Sequence, residues 1–99
     1  MEITLQYFDG CPNWKTTAGH LSRLVEEGLD ATIGYELIHS HENAVARGFR
    51  GSPTVLVDGV DPFADENAPV GLACRVYRTE SGFTGSPSVP QLRRAIAGY

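Results

Sequence analysis

The sequence predicts a single α/β domain over residues 1–99, built on a mixed four-stranded β-sheet. Polar and apolar residues alternate with period two in several short runs, as in half-buried strands. In other runs apolar residues recur at spacings of three and four, as on one face of a helix. The two kinds of run follow each other in the order β-α-β-α-β-β-α. Strands joined through helices imply a parallel pair, and we expect the adjacent third and fourth strands to be antiparallel. A mixed sheet with helices on both faces is the simplest packing of these elements.

The first half of the chain gives a strand, a helix and a second strand. Residues 2–8 alternate and end in an aromatic pair, and Asp9-Gly10 interrupts the pattern. Pro12 suits the first position of a helix, because its missing N–H would have no partner there. Gly28 ends this helix, and residues 31–38 form the second strand. The apolar face of the helix comprises Trp14, Ala18, Leu21, Leu24 and Val25.

The second half predicts a short helix, two strands and a last helix. Ser40 can cap a helix over residues 41–47 that Gly48 ends. Residues 54–57 and 73–78 are the third and fourth strands, and residues 88–91 have the form of a capping box for a helix closed by Gly98. The connection at about 59–72 is long for a hairpin and rich in carboxylates, so we expect an acidic flap over the edge of the sheet.

Charge and composition disfavour several classes of partner. The net charge is −4 and basic residues form no patch, which argues against nucleic acid as a ligand. No apolar run approaches the ~20 residues that cross a bilayer. The chain begins directly in a strand pattern without a leader, so we expect a cytoplasmic, reducing location. In that compartment its two cysteines are predicted to be free thiols.

Cys11 lies between the first strand and the first helix, which is the most informative position in the chain. A thiol there faces unpaired N–H groups and the positive end of the helix dipole, and both favour the thiolate. The thiolate is the form that acts as a nucleophile or metal ligand. A small apolar side chain filling a strand–helix corner would suit the same position. Trp14 stands where a second cysteine would complete C-x-x-C, so no local dithiol exists.

Two segments about forty residues apart carry a resemblance to a known family. They are Gly10-Cys11-Pro12-Asn13-Trp14 after the first strand and Gly51-Ser52-Pro53-Thr54 before the third. With this order of elements the chain resembles the thioredoxin-like superfamily, and in size its short glutaredoxin-like members. The resemblance implies that Pro53 is cis and lies against Cys11. It also implies that the backbone of Ser52 faces outward, free to pair with an extended substrate. A trans Pro53 that merely begins a strand is the alternative.

The function implied by this resemblance is that of a monothiol thiol–disulfide oxidoreductase with Cys11 as the nucleophile. The expected partners are protein or small-molecule disulfides, with a low-molecular-weight thiol as co-substrate and no other cofactor. Cys74 is either a resolving thiol or, as we expect, a core residue, since a simple hairpin would carry it away from Pro53. Substrate contacts are assigned to the residues around Cys11 and the proline: Pro12, Asn13, Trp14, Ser52, Pro53 and Thr54.

Two alternatives stay open at this point. One is a non-catalytic binding module that uses the same groove, and the other is a binder of soft metal ions or organometallic species through an exposed thiolate. A resident metal is not expected, because His39 and His41 have no third ligand near them in the sequence. The sequence does not determine the oligomeric state.

Overall fold

The computed structural model describes residues 1–97 and contains a three-stranded sheet, a separate two-stranded hairpin and three helices. The predicted C-terminal stop at Gly98 lies outside the described residues. No helix within residues 1–97 has the length and apolar character needed to cross a membrane. The strands are β1 (Glu2–Tyr7), β2 (Thr32–Leu37), β3 (Thr54–Val57), β4 (Tyr77–Thr79) and β5 (Gly82–Thr84). The helices are α1 (Trp14–Glu26), α2 (His41–Arg47) and α3 (Val89–Ala97).

The main sheet has the order β2-β1-β3 and is mixed, as predicted. β1 and β2 run parallel, with Leu5 opposite Tyr35, because α1 carries the chain back to the end of the sheet at which β1 begins. β3 runs antiparallel to β1, with Leu5 opposite Val55. The order β-α-β-α-β and the parallel first pair are therefore confirmed.

One face of this sheet carries the main core. α1 and α3 contact each other there, so both helices cover the same face. The apolar stripe of α1 is confirmed at Leu21 and Leu24, which are both buried. Eight buried residues form the cluster: Ile3, Leu5, Leu21, Leu24, Val55, Val57, Leu92 and Ile96.

The short helix α2 forms as the sequence predicts. Ser40 accepts a hydrogen bond from Asn43 N at 3.0 Å, and Gly48 ends the helix in the left-handed region at φ 66°. Arg47, at the end of α2, pairs with Glu36 at 3.0 Å on the sheet face opposite the main core. A second apolar cluster of Ile38, Ala44 and Phe49 holds α2 near the end of β2.

Helix starts agree with the sequence at α3 and differ at α1. The capping box before α3 is present, because Gln91 N donates to Ser88 Oγ and Ser88 N donates to Gln91 Oε1. Pro12 is not the first residue of α1, since residues 12–13 form a separate turn and the helix begins at Trp14. Asn13 makes no side-chain cap, and the regular helix starts two residues later than predicted.

The prediction of a single four-stranded sheet is wrong. The turn after β3 folds Val60 back onto Val57, whose N–H donates to the Val60 carbonyl at 2.7 Å. This bridge occupies the outer edge at the end of β3, where a fourth strand would begin pairing. The chain instead returns to the opposite end of β3 at Cys74, runs past it and pairs with itself as the hairpin β4–β5.

Candidate redox site

Cys11 lies in the loop between β1 and α1 and is fully buried. Its N–H donates to the Phe8 carbonyl at 3.3 Å, which closes the turn that follows β1. Its Sγ lies 3.7 Å from the carbonyl oxygen of Ser52, so the two segments singled out in the sequence meet in space. The position just before α1 is the predicted one, but the sulfur does not face solvent.

The Ser52–Pro53 peptide bond is cis, as the resemblance implies. Ser52 and Pro53 are both buried, and Phe8 N donates to Ser52 Oγ at 3.4 Å. Thr54 is also buried, and its Oγ1 donates to the Gly51 carbonyl at 2.7 Å. The proline segment therefore forms a firm wall on one side of Cys11.

The backbone of Ser52 is not free to receive a substrate, which corrects the expectation from the resemblance. Ser52 N donates to the Ala73 carbonyl at 2.8 Å, and Arg75 N donates to the Ser52 carbonyl at 2.8 Å. Cys74 lies between these two hydrogen bonds and pairs with Ser52 in the parallel direction. The groove beside Pro53 is therefore filled by the chain's own segment 73–75.

Cys11 and Cys74 form a disulfide, with Cα atoms 5.7 Å apart and a sequence separation of 63 residues. The expectation of free thiols is thus wrong for this structure, as is the expectation that Cys74 is a core residue, since Cys74 is exposed. The simple hairpin assumed for residues 54–78 does not form. Residues 59–72 make a detour that brings the chain back beside Ser52 instead of along β3, and this detour allows the bridge.

Arg75 holds the returning segment in place. Its guanidinium donates to Asp61 Oδ2 at 2.7 Å and to Thr54 Oγ1 at 3.2 Å, and it also donates to the Phe63 carbonyl. Only 10% of the Arg75 side chain and 21% of the Asp61 side chain is exposed. Charge-assisted hydrogen bonds at a partly buried position are stronger than surface pairs, so Arg75 ties residues 61–63 to β3.

Tyr77 adds a second attachment at the proline. Its hydroxyl donates to the Pro53 carbonyl, and its ring packs edge-on against Phe63 with ring centroids 5.5 Å apart. The Arg75 guanidinium lies 4.8 Å from the centroid of the Tyr77 ring. Burial raises the pKa of Tyr77 well above its usual range, so the hydroxyl stays protonated and remains a donor.

The other predicted contact residues are divided between the site and its surroundings. Pro12 is exposed, and Asn13 packs against Gly85, where an added Cβ would overlap its amide group. Trp14 stacks on Tyr7 with ring centroids 4.3 Å apart and meets Tyr35 edge-on at 6.3 Å. Trp14 is therefore half-buried within an aromatic cluster.

Sequence reasoning missed the residues that attach the segment containing Cys74. Arg75, Tyr77 and Asp61 lie far apart from Cys11 in sequence, and no periodicity links them to it. The available signal was an arginine directly after Cys74 in a run otherwise predicted as a core strand, together with carboxylates in the preceding flap. A charged side chain in such a run requires a partner.

Within residues 1–97, no group of three or more His, Cys, Asp or Glu side chains is placed to hold a metal ion. Comparison of the chain with models of protein families, with curated proteins and with solved structures finds no match. The structure itself defines a small α/β domain with a mixed sheet and a disulfide beside a cis-proline.

Proposed function

We propose that this chain is a thiol–disulfide oxidoreductase of the thioredoxin-like class, in which Cys11 and Cys74 form the redox-active pair. The observation that supports this most is the disulfide between a sulfur at the start of α1 and a sulfur on an exposed returning segment, beside cis-Pro53. A second sulfur within bonding distance supplies what the missing C-x-x-C cysteine would supply. The protein then works as a two-cysteine enzyme instead of a monothiol one.

The reaction proceeds in two exchanges. In the reduced protein the Cys11 thiolate attacks a substrate disulfide, forms a mixed disulfide with one half and releases the other half as a thiolate. The Cys74 thiolate then attacks Cys11 Sγ, which forms the Cys11–Cys74 bond and releases the second thiolate. The substrate gains two electrons and the protein loses two. A low-molecular-weight thiol restores the dithiol, as expected in a reducing, cytoplasmic location.

The groove beside Pro53 suits an extended substrate once segment 73–75 has left it. That segment already uses the N–H and carbonyl of Ser52 in the oxidised form. Pro12 and Trp14 follow Cys11 in the chain and Thr54 follows Pro53, so the proposal keeps these residues as candidate substrate contacts. Protein or small-molecule disulfides are therefore the proposed substrates.

The test is turnover of a fluorogenic peptide disulfide with a low-molecular-weight thiol as reductant. Cys11→Ser and Cys74→Ser form a matched pair of variants, since each replaces one sulfur with a smaller oxygen and otherwise keeps the side chain. Cys11→Ser is expected to fall to the uncatalysed rate. Cys74→Ser is expected to accumulate a substrate mixed disulfide on Cys11, visible by mass spectrometry, and to cycle only as fast as external thiol resolves it. Rates for both variants equal to wild type would instead favour a binding module.

A further inference from the structure

The two sulfurs of the disulfide differ in access. Cys11, in the loop after β1, is fully buried, and its Sγ lies 3.7 Å from the Ser52 carbonyl oxygen. Cys74 is exposed. Thiol–disulfide exchange requires the incoming thiolate to reach one sulfur from the side opposite the other, so access determines which sulfur is attacked. The oxidised protein offers that approach at Cys74 alone.

The surface next to Cys74 is an open groove of about 460 Å³. Cys74 lines this groove and Cys11 does not. Its lining includes the aromatic residues Phe63 and Tyr77 and the charged residues Arg50, Arg75, Arg78 and Asp65. The groove is thus the route along which a small molecule reaches the disulfide.

The charge of this groove is opposite to that of the whole chain, which carries −4. Arg75 is neutralised by Asp61. Arg50 and Arg78 form no salt bridge with any other described residue, and Asp65 is the one carboxylate among the groove's described lining residues. Arg50 donates to the Asp65 carbonyl at 2.7 Å, which joins two residues of the groove lining. Two arginines without a salt bridge to a described carboxylate, in the lining of the groove that Cys74 also lines, favour a ligand that carries negative charge.

We infer that the groove formed by Arg50, Arg78, Phe63 and Tyr77 binds an anionic low-molecular-weight thiol, which reduces the protein by attacking Cys74. In this step the incoming thiolate forms a bond to Cys74 Sγ, the Cys11–Cys74 bond breaks, and Cys11 leaves as a thiolate. A second molecule of the thiol attacks the mixed disulfide, releases Cys74 as a thiolate and leaves as the symmetric disulfide. The inference rests on the proposed function and assigns the entry point of its reducing half-reaction.

The two half-reactions then pass through different mixed disulfides. Substrate is held on Cys11 after segment 73–75 has left the groove beside Pro53. The reducing thiol is held on Cys74 while that segment still occupies the groove beside Pro53. The exposed sulfur is thus the target of attack, and the buried sulfur is the leaving group.

The first test locates the mixed disulfide. Oxidised wild-type protein is mixed briefly with 2-mercaptoethanesulfonate and quenched in acid, its free thiols are labelled, and its peptides are identified by mass spectrometry. We expect the sulfonate on Cys74 and the label on Cys11, in about tenfold excess over the reverse arrangement. The inference rests on the difference in access between the two sulfurs. Equal amounts of sulfonate on the two cysteines, or an excess on Cys11, would therefore overturn it.

The second test measures the charge preference. Rates of reduction by 2-mercaptoethanesulfonate and by cysteamine, each corrected for its thiolate fraction, are compared at low and high salt. The anionic thiol is expected to react several-fold faster at low salt, and salt or Arg78→Gln should reduce that ratio. Lys15→Gln on α1 removes the same charge outside the groove and should leave the ratio unchanged. Equal rates for the two thiols would contradict the assignment of the groove.

A third measurement addresses opening of the segment. Asp61→Asn weakens the attachment of Arg75 and retains the Oδ1 atom that accepts from Phe63 N. At high salt, which screens the charge that Arg75 then adds to the groove, attack on the exposed Cys74 should leave the reduction rate within about twofold of the wild-type rate. An increase of about tenfold would mean that attack needs the segment to open and falls on Cys11. None of these tests uses a substrate disulfide. If peptide turnover is absent but the sulfonate is still found mainly on Cys74, the proposed function is refuted and the inference about the reducing thiol is not.

Discussion

Reduction of the Cys11–Cys74 disulfide should destabilise the fold by an amount set by the loop that it closes. The bridge joins residues 63 apart in sequence. For a loop of that length the loss of chain entropy in the unfolded state is worth about 4 kcal/mol at 25 °C. In a domain of this size such a change corresponds to a fall in melting temperature of roughly 15–30 °C.

The measurement is thermal unfolding by circular dichroism, with and without a non-absorbing phosphine reductant. Cys74→Ser is the control: it should melt with the reduced wild type and should not respond to the reductant. Hydrogen exchange should show the loss locally, with the amides of Ser52 and Arg75 losing protection on reduction because segment 73–75 is no longer held. Oxidised and reduced forms melting within about 3 °C of each other would refute the reasoning, since the bridge would then constrain nothing.

Two further substitutions test the attachment of the segment that carries Cys74. Gly51→Ala should cost about 1–3 kcal/mol, because Gly51 has φ +122° and an added Cβ would lie 3.2 Å from the Ala73 carbonyl oxygen and 3.0 Å from Arg75 Cβ. Urea unfolding measures this, and a neutral result would mean that the segment does not pack there. Tyr77→Phe leaves the Pro53 carbonyl without its donor and should cost about 1–3 kcal/mol. Burial raises the pKa of Tyr77 in the folded state, so its contribution is complete below the unfolded value of about 10 and is lost as pH rises above it. The wild type should therefore lose stability at alkaline pH more steeply than Tyr77→Phe, and parallel pH profiles would contradict this.

The local elements of this protein could be predicted because short-range rules govern them. The cap at Ser40 and the left-handed Gly48 fix α2 within its own few residues, and both were recognised. β3 was predicted with its observed bounds, because a β-branched run followed by Asp58-Gly59 specifies a strand and its turn. The helix start at Pro12 was missed by two residues: residues 12–13 form a turn, and Asn13 packs against the distant Gly85, a contact that local sequence does not reveal.

The prediction of a fourth strand in the main sheet was wrong for a physical reason that the periodicity of the sequence does not show. Residues 73–78 have the composition of a strand, but a strand forms only where an edge is open to it. Val60 already occupies the end of β3, so this run divides between a single bridge at Ser52 and a separate hairpin. The same division moved Cys74 from the predicted core to the site.

The sequence by itself determined that one cysteine lies at the entrance of the first helix and that a proline segment forty residues later precedes a central strand. These features depend on neighbours in the chain, and the structure brings the two segments together. Only the tertiary structure decided that Cys74 is the partner of Cys11. That pairing depends on contacts of Arg75 with Asp61 and of Tyr77 with Pro53, which join separate turns of the chain. Pattern within a segment specifies its local form, but the path of a long connection is set by whichever distant groups can satisfy its charges and hydrogen bonds.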